Sequence, residues 1–338
     1  MNPVDTVKRL AQKAGFHLAG IAAADPLEED EAHLRAWLSR GYHGEMAYMA
    51  RNPSRRARPR ESLPEARSVL VLGLHYHPGV PEGRPGYGRI SRYAWGLDYH
   101  AVVEERLRRL VHFLERAFPG IRTRGYVDHG PVLEKALARR AGLGFVGKHT
   151  NLITPQYGSW VFLAVVLMDL ILEPDPPAEG DCGGCTRCLE ACPTGALAPY
   201  RLDARRCISY LSIELRGSIP RELRQAMGPW IFGCDVCQEV CPLNPPGKTT
   251  SEEAFRASRG IGPCLSREDL DILLVPGRFR SRFGATALSR PGRRGLLRNA
   301  AVALGNLGPR EHGALLARLA AFPDPLVQEH ARWALERS

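Results

Sequence analysis

Apolar residues return every three to four positions through residues 4–14, the spacing that lays one hydrophobic stripe along a helix. The stretch HLAGIAA at residues 17–23 then reads as a short strand, and residues 29–40 return to helical spacing. SVLVLGLHYH at residues 68–77 opens with an unbroken apolar run, which predicts a buried strand. A long amphipathic helix over 99–117, a strand near 121–127 and a helix over 131–141 complete an alternation that predicts an α/β sheet domain.

Two other zones follow. Residues 173–244 open on EPDPPAEG, whose prolines stop strands and helices alike, and they hold eight of the nine cysteines. From residue 245 the pattern turns helical again toward its end. LLRNAAVALGNLG from Leu296 and LVQEHARWAL from Leu326 place Ala301 and Ala331 at matching positions, with Pro323-Asp324-Pro325 as a helix start. Small residues on one face let helices stack closely, so the pair reads either as HEAT-like repeats or as an ordinary helical hairpin. The expected fold class is α+β and multidomain, divided at 1–172, 173–244 and 245–338.

At 338 residues the chain is long enough for two or three domains, and 44% hydrophobic with 24% charged residues is ordinary for a soluble globular protein. The best candidate for a membrane span, WVFLAVVLMDLIL at 160–172, is too short and carries Asp169. The amphipathic N-terminal residues show neither a secretory nor a twin-arginine pattern, so a cytoplasmic location without membrane anchoring is expected. A net charge of +10 points to an anionic partner; charge alone leaves nucleic acid, a membrane surface and a phosphorylated cofactor open.

Nine cysteines in such a compartment argue for metal or redox chemistry rather than disulfides. Cys182, Cys185, Cys188 and Cys192 form C-x2-C-x2-C-x3-C-P, closed by Pro193. Cys234, Cys237 and Cys241 form C-x2-C-x3-C-P, closed by Pro242, and Cys207 stands between the sets. A tight loop wraps three thiolates round one cubane, but the next cysteine points away and ligates the other cluster. On that spacing Cys182, Cys185 and Cys188 join Cys241 on one [4Fe–4S] cluster, and Cys192, Cys207, Cys234 and Cys237 hold the second. Zinc also takes C-x2-C pairs, but separated by a knuckle rather than run together before C-P. Cys264 is left over and reads as a small buried hydrophobe.

Three further motifs carry a resemblance: RYAWGLDYH at 92–100, YVDHGPVLEKA at 126–136 and GFVGKHTNLITPQYGSW at 144–160. With the cysteine frame and GCDVCQEVCPLN at 233–244, nearly the whole chain resembles the epoxyqueuosine reductases, cobalamin-dependent iron–sulfur enzymes that complete queuosine in the tRNA anticodon. The family usually has Asn where this chain has His149. The resemblance implies a flavin-reductase-like α/β domain holding cobalamin, a two-cluster ferredoxin module beside it, and a basic HEAT-like tail that binds tRNA. The implied reaction reduces the epoxide of epoxyqueuosine at the wobble position to the alkene of queuosine, consuming two electrons and releasing water. Composition and periodicity say nothing of cobalamin.

The resemblance also implies residues. Asp128 matches the family's general acid, a role that burial would suit by raising its pKa; spacing alone reads it as a cap for the helix after Pro131. His129 ranks second as proton donor, and Lys148 is a candidate anion contact. For cobalamin the matching positions are Arg51, Ser91, Tyr93, Leu152, Leu163, Ser209 and Asp235, although a strand leucine is more often plain core. Residues 278–298 hold seven arginines and no acidic residue. Arg278, Arg280, Arg282, Arg293, Arg294 and Arg298 are the expected tRNA phosphate contacts, with Phe279 and Phe283 as stacking platforms. The bland alternative is a solvated basic face with both phenylalanines buried. Implied partners are tRNA carrying epoxyqueuosine and a reductant protein or small-molecule electron donor, acting on a monomer. Two rivals compete. A reductive dehalogenase shares cobalamin and two clusters but has no use for a basic helical tail; a plain electron carrier leaves Asp128 and the N-terminal domain unexplained.

Overall fold

The computed structural model describes residues 2–80 and 86–337. Helix α1 (Pro3–Lys13) starts at Asn2, whose side chain accepts the Val4 N–H. Then come β1 (Leu18–Ala23), α2 (Glu28–Ser39), β2 (Ser68–His75), α3 (Tyr99–Ala117), β3 (Thr123–Tyr126), α4 (Glu134–Arg140) and β4 (Val161–Met168). The strands lie in the order β1–β2–β4–β3, and every neighbouring pair is antiparallel. Helices and strands alternate as expected, yet they do not build parallel βαβ units. The chain leaving β2 returns to the same end of the sheet, pairing His75 with Val161.

All eight residues of β2 are buried because both faces of the sheet are covered. Leu70, Leu72 and Leu74 pack with Ala164, Val166 and Met168 against α1 and α3. Val69 and Val71 pack with Val165 and Leu167 against α4. The apolar run at 160–172 is therefore a doubly covered strand, which explains why it shows no alternation. Helix α3 turns Tyr99, Val103, Leu107, Leu110 and Leu114 inward at helical spacing, each large side chain contributing roughly 1.5–3 kcal/mol on burial. A Cβ at Gly20 would lie 2.1 Å from Ala141 O, so glycine lets the end of α4 settle on β1.

A second core joins α5 (Ile208–Ile213) and the short strand Trp230–Phe232 to α6 (Gly292–Leu307), α7 (Gly313–Ala320) and α8 (Pro325–Leu335). Ile90 and Trp95 belong to it as well. Asn299 Nδ2 crosses this core, donating to Ser212 O at 2.7 Å and Ile231 O at 2.9 Å. The core thus runs through the boundary expected at 245, and Phe255, from beyond that boundary, lies in the core of the sheet. Ala301 and Ala331 are fully buried, and a Cβ at Gly305 would meet Ala334 at 2.6 Å, so small residues do let α6 and α8 approach. Asp324 caps α8 by accepting from Leu326 and Val327. Among the described residues, no helix is long and apolar enough to cross a membrane.

Candidate functional site

The cysteine motifs fold into two short helices, Arg187–Glu190 and Val236–Glu239, packed against each other. Burial pushes the Cys188 thiol up, and the neighbouring thiols that add to this are Cys182, Cys241 and Cys185. Cys237 is pushed up to about 12 by burial, then by Cys207, Asp235 and Cys192. Cys192, Cys207, Cys234 and Cys237 line one cavity. Cys188 raises Cys237 as well, so the thiols of both expected quartets lie close together, and only the second expected quartet shares a cavity wall. Backbone amides serve the sulfurs: Lys148 N–H donates to Cys182 Sγ at 3.3 Å and Ala196 N–H to Cys192 Sγ at 3.4 Å. Lys148 Nζ donates to Gly183 O (2.6 Å) and Cys185 O (3.0 Å), tying the first loop.

Beyond β3 the chain turns at Asp128, whose φ of 53° is left-handed. Aspartate tolerates that region better than most residues, and side chains hold it there. Asp128 N–H donates to Glu134 Oε1 at 2.7 Å, and Tyr99 OH donates to Asp128 Oδ2. His100 Nε2 lies 3.5 Å from the same oxygen. Behind His100, Arg290 Nη2 donates to Asp98 Oδ1 at 3.0 Å and lies 2.6 Å from His100 Nδ1. Asp128 does not cap α4, which begins after Leu133 without a side-chain cap.

The charges at this turn overturn the expectation of a buried, raised carboxyl. Burial works upward on Asp128, but the bonds from His100 and Tyr99, with the charges of His100 and Arg290, hold it at about 2. Its side chain is 58% exposed. The proton-holding carboxyl is instead Glu134, raised to about 8 by burial and by the charge of Asp128. His100 is pulled both ways. Burial lowers its pKa, whereas Asp128 and Asp98 raise it to about 9. Its Nδ1 lies between Asp98 Oδ1 at 3.1 Å and Arg290 Nη2 at 2.6 Å, and its Nε2 faces Asp128. His129 is exposed, 3.8 Å from Glu104.

Ser91, Tyr93 and Ser209 line the cavity of the second quartet. The Tyr93 ring, 5.9 Å from that of Tyr99, connects this wall to the acid site. Asp235 is not on the wall. It is buried and accepts from Ser91 OH, from Arg92 N–H at 2.8 Å and from Arg92 Nη1 at 3.2 Å, so it clips the cage to residues 91–92 rather than bridging cofactors. Leu152 is buried beneath the sheet and Leu163 packs half-buried beside it, both as core. Arg51 is exposed, with no hydrogen bond or ion pair to the described residues. Two wall residues escaped sequence reasoning as contacts. Lys135, inside the YVDHGPVLEKA motif, donates to Thr150 O (2.9 Å) and Asn151 Oδ1 (3.0 Å). His149 accepts the Asn151 N–H on Nδ1 at 3.2 Å, leaving a buried Nε2–H without a partner.

The arginine run separates into different roles. Arg298 is fully buried, donating to Leu211 O, Leu215 O, Gly217 O and Asn299 Oδ1, and cannot reach a phosphate. Arg293 turns inward to Leu273 O (2.7 Å) and Leu274 O (2.9 Å). Arg294 pairs with Asp324 at 2.9 Å and Arg282 with Asp269 at 2.6 Å. Arg278 and Arg280 remain exposed, their side chains unpaired among the described residues. Phe283 is fully buried and stacks on half-buried Phe279 at 5.5 Å, so the pair is a helix-face contact and no platform for a base. Arg290, left out of the expected contacts, is the arginine that enters the acid site.

Residues 181–244 match the family model of the 4Fe-4S double cluster binding domain. Residues 56–129 match that of "Epoxyqueuosine reductase QueG, DUF1730". The chain is 42% identical to an epoxyqueuosine reductase of Xanthomonas campestris pv. campestris, over 99% of this chain and 96% of that protein. A crystal structure of epoxyqueuosine reductase with an epoxyqueuosine-modified tRNA-Tyr stem loop matches with a TM-score of 0.89 at 34% identity, covering 99% of this chain and 89% of the other. The Bacillus subtilis epoxyqueuosine reductase, with the loop of its catalytic aspartate swung out of the active site, matches with a TM-score of 0.89 at 34% identity, covering 99% and 90%.

Proposed function

The chain belongs to the epoxyqueuosine reductase family, an oxidoreductase that modifies tRNA, and we propose that cobalamin fed by two [4Fe–4S] clusters does its reduction, with Asp128 as proton donor. The product is the alkene of queuosine at the wobble position. The observation that carries this reading is spatial: Tyr93, on the wall of the cavity lined by Cys192, Cys207, Cys234 and Cys237, packs its ring against Tyr99, whose OH donates to Asp128.

The cavity wall fits cobalamin. Ser91, Ser209, Asn151 and Lys135 offer donors and acceptors to its carboxamide arms, and the orphaned His149 Nε2–H adds a donor that needs a partner. When bound, cobalamin supplies a strongly nucleophilic cobalt able to open an unactivated epoxide. Cys182, Cys185, Cys188 and Cys241 hold one cluster; Cys192, Cys207, Cys234 and Cys237 hold the one beside the cavity.

Asp128 protonates the departing oxygen. Ionised in the free chain, it must take a proton before it gives one, and Tyr99 OH and His100 Nε2 are directed at it. A nucleoside seated over the turn strips water from an exposed carboxylate, which moves its pKa up toward the neutral acid. We read this turn as the loop that is swung out in the Bacillus subtilis enzyme. The tRNA stem loop bound by one relative is the substrate class adopted here, with Arg278 and Arg280 as its free cations and the exposed Arg51 kept as a cobalamin contact. The antiparallel domain is read as flavin-reductase-like and α6–α8 as HEAT-like.

Asp128→Asn tests the reading. Cobalamin and both clusters stay bound, by optical and EPR spectra, while turnover of epoxyqueuosine-containing tRNA falls about 10²–10⁴-fold. Full activity would move the acid role to His129 or water.

A further inference from the structure

Arg290 belongs by sequence to the C-terminal arginine run, yet its guanidinium sits in the acid site of the N-terminal domain. It donates to Asp98 Oδ1 at 3.0 Å, approaches His100 Nδ1 to 2.6 Å and lies over the Tyr99 ring at 4.9 Å. Asp98 caps α3 by accepting the His100 N–H at 3.1 Å, so one side chain grips three consecutive residues. Two of those, Tyr99 and His100, face the Asp128 carboxylate.

The Asp128 backbone is strained, and a left-handed non-glycine residue persists only where its surroundings hold it. The holding groups are few: Tyr99, His100 and the Glu134 carboxylate that accepts the Asp128 N–H. The Arg290 end is well anchored. Arg216 Nη1 donates to Arg290 O at 2.8 Å, and Asp98 N–H donates to Ala285 O at 3.1 Å, so the segment before α6 is docked on the start of α3.

We propose that Arg290 is a positioning residue for the proton donor: it fixes residues 98–100, and thereby latches the Asp128 loop to the segment that bears the basic surface. Seating that segment on an RNA would then be felt at the acid. The proposal rests on Asp128 being the acid, and the test separates the two ideas.

Arg290→Met and Arg290→Lys are made in the holoenzyme, with two readouts: hydrogen exchange of residues 127–130, and kcat and KM on an epoxyqueuosine-containing stem loop. Arg290→Met is expected to speed exchange at the Asp128 amide about tenfold. It lowers kcat about 10²-fold, with KM within about threefold of wild type. Arg290→Lys, which keeps the charge and a donor, recovers part of both. Faster exchange with unchanged kcat upholds the latch and sinks the acid role of Asp128. Unchanged exchange overturns the latch whatever happens to kcat, and a raised KM at constant kcat makes Arg290 an RNA contact instead. Should Arg290→Met fail to fold, Asp98→Asn removes the anchor of the guanidinium; wild-type exchange and kcat there also overturn the proposal.

Discussion

Around the cysteine quartets the chain holds itself largely with backbone. Amide N–H groups reach Cys182 and Cys192, and from behind, Arg298 and Asn299 bind carbonyls of α5, which follows Cys207, and of the strand that precedes Cys234. Around Asp128 the holding is done by side chains, and ionisable ones: Asp98, His100, Glu134 and Arg290 converge from three places in the sequence on one turn. In the first arrangement the thiols are buried or half-buried. The second is half-exposed, and each of its bonds is one that water or substrate can replace. A cage that passes electrons gains from rigidity, whereas a turn that must admit a tRNA base and change protonation gains from bonds of modest strength.

The sharpest way to break this contrast is to remove a cage thiol from the wrong loop. Cys192 follows the first three cysteines in sequence but neighbours Cys207 and Cys237 in space. Cys192→Ala is expected to abolish turnover and to erase the EPR signal of the cluster beside the cavity while leaving the other. If the other signal vanishes instead, the crosswise sharing is wrong and the cage is two independent loops.

A smaller effect comes from the support behind the cage. Arg298→Met leaves the carbonyls of Leu211, Leu215 and Gly217 without this donor. A buried orphan costs about 1–3 kcal/mol, so roughly 3–5 kcal/mol is lost in all. Thermal unfolding of the holoenzyme should show a clearly lower midpoint, with the cavity-side cluster lost early and tRNA affinity of the folded protein unchanged. Weaker tRNA binding at wild-type stability would return Arg298 to the RNA surface.

The same contrast governs what could be read from the amino-acid order. The double-cluster domain was legible because its chemistry is local: C-x2-C-x3-C-P states a loop geometry within a dozen residues. The periodic elements were legible for the same reason, and α3 falls on its expected residues, 99–117. The acid site was not. Asp128 was found through a motif resemblance, but no spacing links it to His100 or to Arg290, whose partners lie about 190 residues away. The arginine run misled because charge in a sequence does not say which cations are already satisfied; Arg298 and Arg293 serve carbonyls of their own fold. Antiparallel pairing of β2 with β4 was equally hidden, since doubly covered strands show the same unbroken apolar run in either direction.

The smallest effect separates the two regions by pH. Glu134 holds its proton to about 8, against an ordinary value of 4.5, because burial and the charge of Asp128 disfavour its anion. A carboxyl raised on folding binds a proton that the unfolded chain releases between those values. Its contribution to stability is therefore complete below the ordinary carboxylate range, declines as pH rises, and is gone once pH passes the folded value. Glu134→Gln keeps an acceptor for the Asp128 N–H and never ionises. The stability of wild type relative to this variant should fall steadily as pH rises from 5 toward 8 and level above the folded value. Over the same range, the protection of the Asp128 amide, taken relative to its intrinsic base-catalysed rate, should fall in wild type and stay level in Glu134→Gln, while the cluster spectra of both remain unchanged. A constant difference between the two proteins would mean that Glu134 is already ionised in the fold. The turn would then be held by fixed charge rather than by a proton, and its contrast with the cage would lie in exposure alone.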